Sequence, residues 1–259
     1  MSDIAEIIEK IPVLGGIVDI SVLQEGSVNR IWKIEAAEKN YVLRQQKSVA
    51  KMIGLDLSGE FEILESVATI EAGPQPVWVD VNAGLLLLEY LPGTSLSGEA
   101  FEDGKTLARA GELLKRIHDT RPDVRKVDYA GFVSRYSAAA DDASSSQLAL
   151  EALELIDLWC GDDERLVLCH GDPLAQNFIA GPETELKLID WEYSGLGEPC
   201  FDLAVIIHHH NLDKTTRKLI CDVVQVIDAE ARLEGCLLLY ERILALWLMT
   251  CRSSLEESC

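Results

Sequence analysis

Residues 169–177 read Cys169-His170-Gly171-Asp172-Pro173-Leu174-Ala175-Gln176-Asn177, and Leu186-Lys187-Leu188-Ile189-Asp190-Trp191-Glu192 follows soon after. Each stretch ends an apolar run, where backbone leaves a core and polar groups can turn toward a cleft. Alone, His170-Gly171-Asp172 would be a turn with a buried, hydrogen-bonded histidine. Joined to Asn177 and Asp190 it becomes a set of three oxygen-bearing side chains in a fixed order. Phosphoryl transfer asks for such a set: an oriented hydroxyl, oxygen ligands for Mg²⁺, and cations over the phosphates. Asp172 can accept the proton of a hydroxyl. Asn177 can reach a metal from the same loop, and Asp190 can reach it from the next strand end.

Upstream of this stretch the chain is strand-rich. Ile17–Gln24 and Arg30–Glu35 are β-type runs around the turn sequence Glu25-Gly26-Ser27-Val28-Asn29, and Ala36–Asn40 leads into Tyr41-Val42-Leu43-Arg44. That spacing predicts an antiparallel meander. A helix is expected from Ser58 as N-cap, with Phe61, Leu64, Val67 and Ala68 on one side, until Gly73-Pro74 stops it. Val77–Val81 and Leu85–Tyr90 flank the turn Asn82-Ala83-Gly84. From Leu91-Pro92-Gly93-Thr94 onward helical periodicity dominates, over roughly 103–118, 147–160, 200–210, 213–228 and 233–250. Ser137–Gln147 is low in complexity and reads as a mobile surface loop. The reading is therefore a small β-rich part, residues 1–90, and a larger helical part, residues 91–259.

Composition narrows the partners. The 259 residues carry 23 Lys+Arg against 44 Asp+Glu, a formal net charge of −21. Nucleic acid and anionic membranes are excluded as partners on that balance, because both ask for a basic face. A cationic small molecule would be attracted. No targeting segment is visible, since the N-terminus is acidic and amphipathic, and Cys236–Cys251 is too short and too charged to span a bilayer. Seven cysteines without a C-x-x-C pair read as reduced thiols, which points to a cytoplasmic protein.

The pattern His170-Gly171-Asp172-x-x-x-x-Asn177, the later Ile189-Asp190-Trp191-Glu192, and Phe201-Asp202-Leu203-Ala204 resemble the aminoglycoside phosphotransferase/choline kinase superfamily. Tyr41-Val42-Leu43-Arg44-Gln45 and Leu88-Glu89-Tyr90-Leu91-Pro92-Gly93 look most like its thiamine kinase and choline/ethanolamine kinase branch. The resemblance implies an α+β, protein-kinase-like two-lobed fold, with a small antiparallel sheet and one helix in the N-lobe and a larger, mainly helical C-lobe. It implies an ATP- and Mg²⁺-dependent kinase that phosphorylates a hydroxyl of a small cationic metabolite such as thiamine, choline or a related amino alcohol. An aminoglycoside phosphotransferase is the alternative. Two other classes compete, a metal-dependent phosphohydrolase and a non-catalytic nucleotide-binding protein.

Carried across residue by residue, Asp172 would be the catalytic base, and Asn177 and Asp190 the Mg²⁺ ligands. Gly26, Ser27 and Asn29 would form the loop above the phosphates. Arg44 would take the place of the phosphate-contacting lysine, paired with a helix glutamate; Glu60, Glu62 and Glu65 are candidates, and Glu60 is preferred. The backbone of Glu89 and Leu91 would meet the adenine. His170 and Asp202 would brace the catalytic loop. Trp191, Glu192, Tyr193 and Trp247 are candidates for an acceptor pocket, where aromatic faces can hold a cation. His208-His209-His210 reads as a partly exposed helix end, because adjacent helical residues point in different directions.

Overall fold

The computed structural model describes residues 2–182, 185–226 and 229–256. The chain divides into two compact units, residues 1–92 and 93–259. In the first, a short helix α1 (Ser2–Ile8) precedes strands β1 (Ile17–Glu25), β2 (Asn29–Ala36) and β3 (Asn40–Gln46). Helices α2 (Ser48–Met52) and α3 (Leu57–Thr69) follow, then β4 (Pro76–Asp80) and β5 (Leu85–Glu89). All strand pairs are antiparallel, in the order β1-β2-β3-β5-β4. The sequence leads one to expect a single helix here. α1 and α2 are additional, and α1 exists because Ile4, Ile7 and Ile8 lie at helical spacing against the sheet.

Successive residues of a strand face opposite sides of a sheet, and β3 uses this directly. Leu43 joins Trp32, Leu87, Ile8 and Ile11 in a buried apolar cluster on one face. Arg44 therefore points to the other face, where α3 lies. That helix starts at Leu57, one residue before the expected cap. Asp56 is the N-cap, accepting hydrogen bonds from the Ser58 and Gly59 N–H groups at 3.1 Å each. Glu60 lies in the first turn as expected, buried beside Arg44.

The second unit opens with the two-residue strand β6 (Thr94–Ser95), followed by a 3₁₀ turn at Gly98–Glu102 and helices α4 (Gly104–His118), α5 (Tyr129–Ala140) and α6 (Ala143–Trp159). The strands that carry the signature residues are very short: β7 (Val167–Cys169), β8 (Phe178–Ala180), β9 (Leu186–Leu188) and β10 (Gly195–Gly197). Helices α7 (Pro199–His209), α8 (Lys214–Val224) and α9 (Ala229–Glu256) complete the unit. β8 pairs with β9 and β6, and β7 pairs with β10. No described helix is long and apolar enough to cross a membrane. The six described cysteines are free, and Cys259 lies outside the described residues.

Residues 137–147 do not form the expected loop. They finish α5, turn once at Asp141 in the left-handed region (φ 48°), and start α6. Asp142 caps α6 by accepting from Ser145 N–H at 2.7 Å, and the Ser145 hydroxyl returns to the Asp142 backbone. The fully buried Ser145 also bonds to the Ser137 carbonyl at 3.2 Å. Small side chains that look like low complexity serve here as a close helix-to-helix corner.

Candidate active site

In the second unit the antiparallel ladder β7–β10 pairs Cys169 with Gly195. The loop that leaves β7 thereby runs beside the loop that enters β10. The first loop carries Asp172 and Asn177; the second carries Asp190, Glu192 and Tyr193. Gly171 sits between them at φ +83°, and a Cβ there would lie 2.6 Å from the Tyr193 carbonyl oxygen. Only glycine fits both the space and the backbone. Gly171→Ala is expected to cost on the order of 2 kcal/mol in denaturant unfolding and to remove most activity. An unchanged unfolding midpoint would show that the two loops are not in fixed contact.

Asn177 is folded back onto Asp172. Its amide nitrogen donates to the Asp172 carbonyl at 2.8 Å and to the Asp172 carboxylate at 3.2 Å. Only an NH₂ can serve two oxygens in this way, so the network fixes the amide orientation and turns Oδ1 to the other side. The Ile189 N–H donates to the Asn177 carbonyl at 2.9 Å, which ties the second loop to the first. Asp190 follows with a left-handed backbone, φ 67°, unusual for a non-glycine residue and costly unless the surroundings enforce it. Burial, then the negative charge of Asp190, push the Asp172 carboxyl up to about 7, with the Asn177 amide pulling the other way. The site has too much negative charge for its surroundings, and a divalent cation would relieve it.

Asn177 and Asp190 can offer only oxygen donors to a metal, and an all-oxygen set would fit the hard ion Mg²⁺ rather than a soft metal.

His170 and Asp202 lie behind this edge, both fully buried. Asp202, at the start of α7, accepts from Gly171 N–H at 2.8 Å, from His170 N–H at 3.0 Å and from His118 Nε2 at 2.9 Å. Burial on its own would raise the Asp202 carboxyl, but the hydrogen bond and charge of His118 and the Gly171 N–H bring it below the ordinary value. His170 Nδ1 accepts from Asp172 N–H at 3.3 Å, so the proton sits on Nε2 and is donated to the Ile189 carbonyl at 3.0 Å. Burial lowers the pKa of this imidazole, which keeps it in the neutral form the geometry requires.

The structure separates the aromatic candidates. Trp191 is fully buried, donates Nε1–H to the Leu188 carbonyl at 2.9 Å and meets the His170 ring edge-on at 4.7 Å. It offers no face to an acceptor; packing claimed it because its indole N–H needed a buried partner. Tyr193 and Trp247 stand with two residues absent from the sequence reading. Phe132 lies 5.6 Å from Tyr193 and 6.1 Å from Tyr136, and Tyr136 lies 5.6 Å from Trp247. The Tyr193 and Tyr136 hydroxyls interact with each other, and Glu192 acts electrostatically on both residues. A fifth ring, Tyr240, also lies close enough to feel the charge of Asp172. Phe132 and Tyr136 sit on α5, whose helical signal was masked by its alanines and serines.

In the first unit, Arg44 and Glu60 form a buried ion pair, 4% and 1% exposed, and Glu62 and Glu65 are not its partners in that pair. The turn after β1 closes with Gly26 N–H donating to the Asn29 carbonyl at 2.9 Å; Ser27 is exposed and Asn29 buried. Lys47, which sequence reasoning missed, anchors this turn through the Gly26 carbonyl at 2.5 Å and Glu25 at 3.1 Å. Glu89 ends β5, with its N–H on the Gln75 carbonyl at 2.9 Å and its carboxylate on Lys39 at 2.5 Å; Leu91 follows two residues on.

A five-stranded antiparallel unit with a buried Arg–Glu pair, and a helical unit with an Asp–Asn–Asp edge, define a kinase-like α+β fold. The match to known proteins agrees. Residues 19–236 match the phosphotransferase enzyme family, APH, and the chain belongs to it. A curated relative, Protein LicA of Haemophilus influenzae, is 26% identical over 201 residues, which are 73% of this chain and 58% of that protein. The chain thus spans little more than half the length of this relative. The crystal structure of the choline kinase LicA from Streptococcus pneumoniae superposes with a TM-score of 0.82 at 19% identity, covering 98% of this chain and 92% of that one. An aminoglycoside-3′-phosphotransferase of type VIII superposes at 0.69 and 18% identity, covering 93% and 98%. These two likenesses concern the fold.

Proposed function

We propose that this protein transfers the γ-phosphoryl group of ATP to the hydroxyl of a small cationic amino alcohol of the choline or ethanolamine type. The observation that carries the reading is the Asp172 carboxylate, held by Asn177 and near enough to act on Tyr193, a ring that Glu192 also acts on and that is joined through Phe132 and Tyr136 to Trp247. Aromatic faces beside a carboxylate suit an ammonium ion, and the adjacent base suits its hydroxyl. The likeness to the choline kinase LicA from Streptococcus pneumoniae supports a choline-type acceptor rather than thiamine.

In this reading Asp172 orients the acceptor hydroxyl and takes its proton as the new O–P bond forms. The bond from the γ-phosphorus to the β–γ bridging oxygen breaks, and ADP leaves. Asn177 and Asp190 would hold Mg²⁺, which neutralises phosphate charge when bound. Gly26, Ser27 and Asn29 would face the phosphates, Arg44 would grip them under the control of Glu60, and the backbone of Glu89 and Leu91 would meet the adenine. The first unit would thus bind nucleotide and the second would bind acceptor. Free cysteines accord with a reducing, cytoplasmic setting.

An ADP-release assay with choline, ethanolamine, thiamine, kanamycin and no acceptor tests this. Turnover should require choline or ethanolamine. Phosphate release without acceptor would mark a hydrolase, and turnover with kanamycin alone would mark an antibiotic kinase. Glu192→Gln should raise the acceptor KM about tenfold and leave the ATP KM unchanged.

A further inference from the structure

Helix α7 touches the catalytic loop at two places. At its N-terminal end Asp202 receives the N–H groups of His170 and Gly171. Eight residues later, just past the helix, His210 Nε2 accepts the Ala175 N–H at 3.2 Å. The other ring nitrogen, Nδ1, lies 3.2 Å from the Gly98 carbonyl, to which it donates. A ring that accepts at Nε2 must carry its proton on Nδ1, so the two bonds require the same neutral tautomer. Burial, then the charge of His209, lower the pKa of this imidazole and favour that form.

The surroundings lead to Asn177. The His210 ring meets Phe101 edge-on at 4.8 Å, and Phe101 meets Phe178 at 5.5 Å. Phe101 is fully buried, and Phe178 follows Asn177 directly. Ala175 opens the 3₁₀ turn Ala175–Asn177, in which Asn177 N–H is given to the Leu174 carbonyl at 2.8 Å. His208, by contrast, turns toward Glu241 at 3.6 Å, so the triplet does not converge as ligands.

We propose that His210 is a positioning residue for the metal-holding loop: its neutral ring tethers Ala175 to the Gly98 carbonyl and so fixes the bearing of Asn177. The inference rests on the kinase reading above. α7 then acts as a two-point clamp, Asp202 at the Asp172 end of the loop and His210 at the Asn177 end.

Two substitutions separate the bonds. In His210→Gln the side-chain oxygen reaches about as far as Nε2 and can still accept from Ala175. In His210→Asn the amide reaches only as far as Nδ1 and can serve Gly98 alone. The Asn variant should need about tenfold more Mg²⁺ for half-maximal rate, and should bind Mn²⁺ with ADP, followed by electron paramagnetic resonance, about tenfold more weakly. The acceptor KM should stay put, and the Gln variant, which keeps the Ala175 bond and gives up only the Gly98 one, should lose clearly less than the Asn variant. Equal losses in both variants, or Mn²⁺ affinity unchanged in both, would overturn the tether. So would rapid hydrogen exchange of the Ala175 amide in the unsubstituted protein, a readout that survives even if a variant fails to fold. Absence of Mn²⁺–ADP binding by the unsubstituted protein would instead overturn the kinase reading, and this inference with it.

Discussion

Asp172→Asn should lower kcat about 10³-fold or more while leaving ADP affinity intact, because a positioned base typically contributes 10²–10⁴ and Asn cannot take a proton. The same change should stabilise the metal-free protein at high pH. Burial and Asp190 hold the folded Asp172 carboxyl near 7, above the 3.8 of an ordinary aspartate. Between those values the folded chain keeps a proton that the unfolded chain has shed. Stability from this group is therefore greatest at low pH and declines as pH rises toward 7. Above that, the folded protein carries an ionised group its surroundings disfavour, and Asn removes the penalty. With partial solvent access the gain should be about 2 kcal/mol at pH 8, vanishing near pH 4. Thermal melts of both proteins in EDTA at the two pH values check this. Undiminished turnover in the variant would refute the base; identical melts at pH 8 would refute the electrostatic account.

Asp202→Ala should be the most damaging change behind the site. It strips the partner from three N–H donors at once, those of the buried His170 and His118 and of the half-buried Gly171. Leaving buried donors unpaired costs about 1–3 kcal/mol each, and losses within one network do not add fully. A total of about 3–5 kcal/mol is expected in urea unfolding. Because the folded Asp202 carboxyl lies below its ordinary value, its contribution is present above the usual carboxylate range and is lost as pH falls through the folded value. The unsubstituted protein should therefore lose stability in acid more steeply than the Ala variant. A variant that unfolds within 1 kcal/mol of the unsubstituted protein would show that the loop does not depend on this carboxylate.

The juxtaposition of Asp172 and Asn177 with the loop of Asp190 was legible because these residues are close in sequence and end apolar runs, so spacing alone sets their order. The five strands of the first unit were legible for a related reason: alternating apolar residues between turn sequences fix a meander. What could not be read depends on distant contacts. Phe132 and Tyr136 are some sixty residues from Tyr193 and over a hundred from Trp247, and nothing local marks them as neighbours. Trp191 looked like a pocket wall because composition says nothing about which aromatic a core will take. His210 was hidden by its neighbours, since three adjacent histidines invite one shared explanation and have separate ones. The cap lies two residues earlier than expected because Asp56 and Ser58 are both good caps, and it is the Asp56 side chain that meets two N–H groups.

The proposed base, Asp172, hangs from a strand three residues long, whereas the rings of the proposed acceptor pocket come largely from α5 and α9. Chemistry and taste are thereby mounted on different parts. Exchanging Tyr136 or Trp247 for smaller or more polar side chains could retune which alcohol is welcomed, with the proton acceptor left where it stands. A scaffold divided in this way can diversify its clientele by drift along two helices, without passing through inactive ancestors.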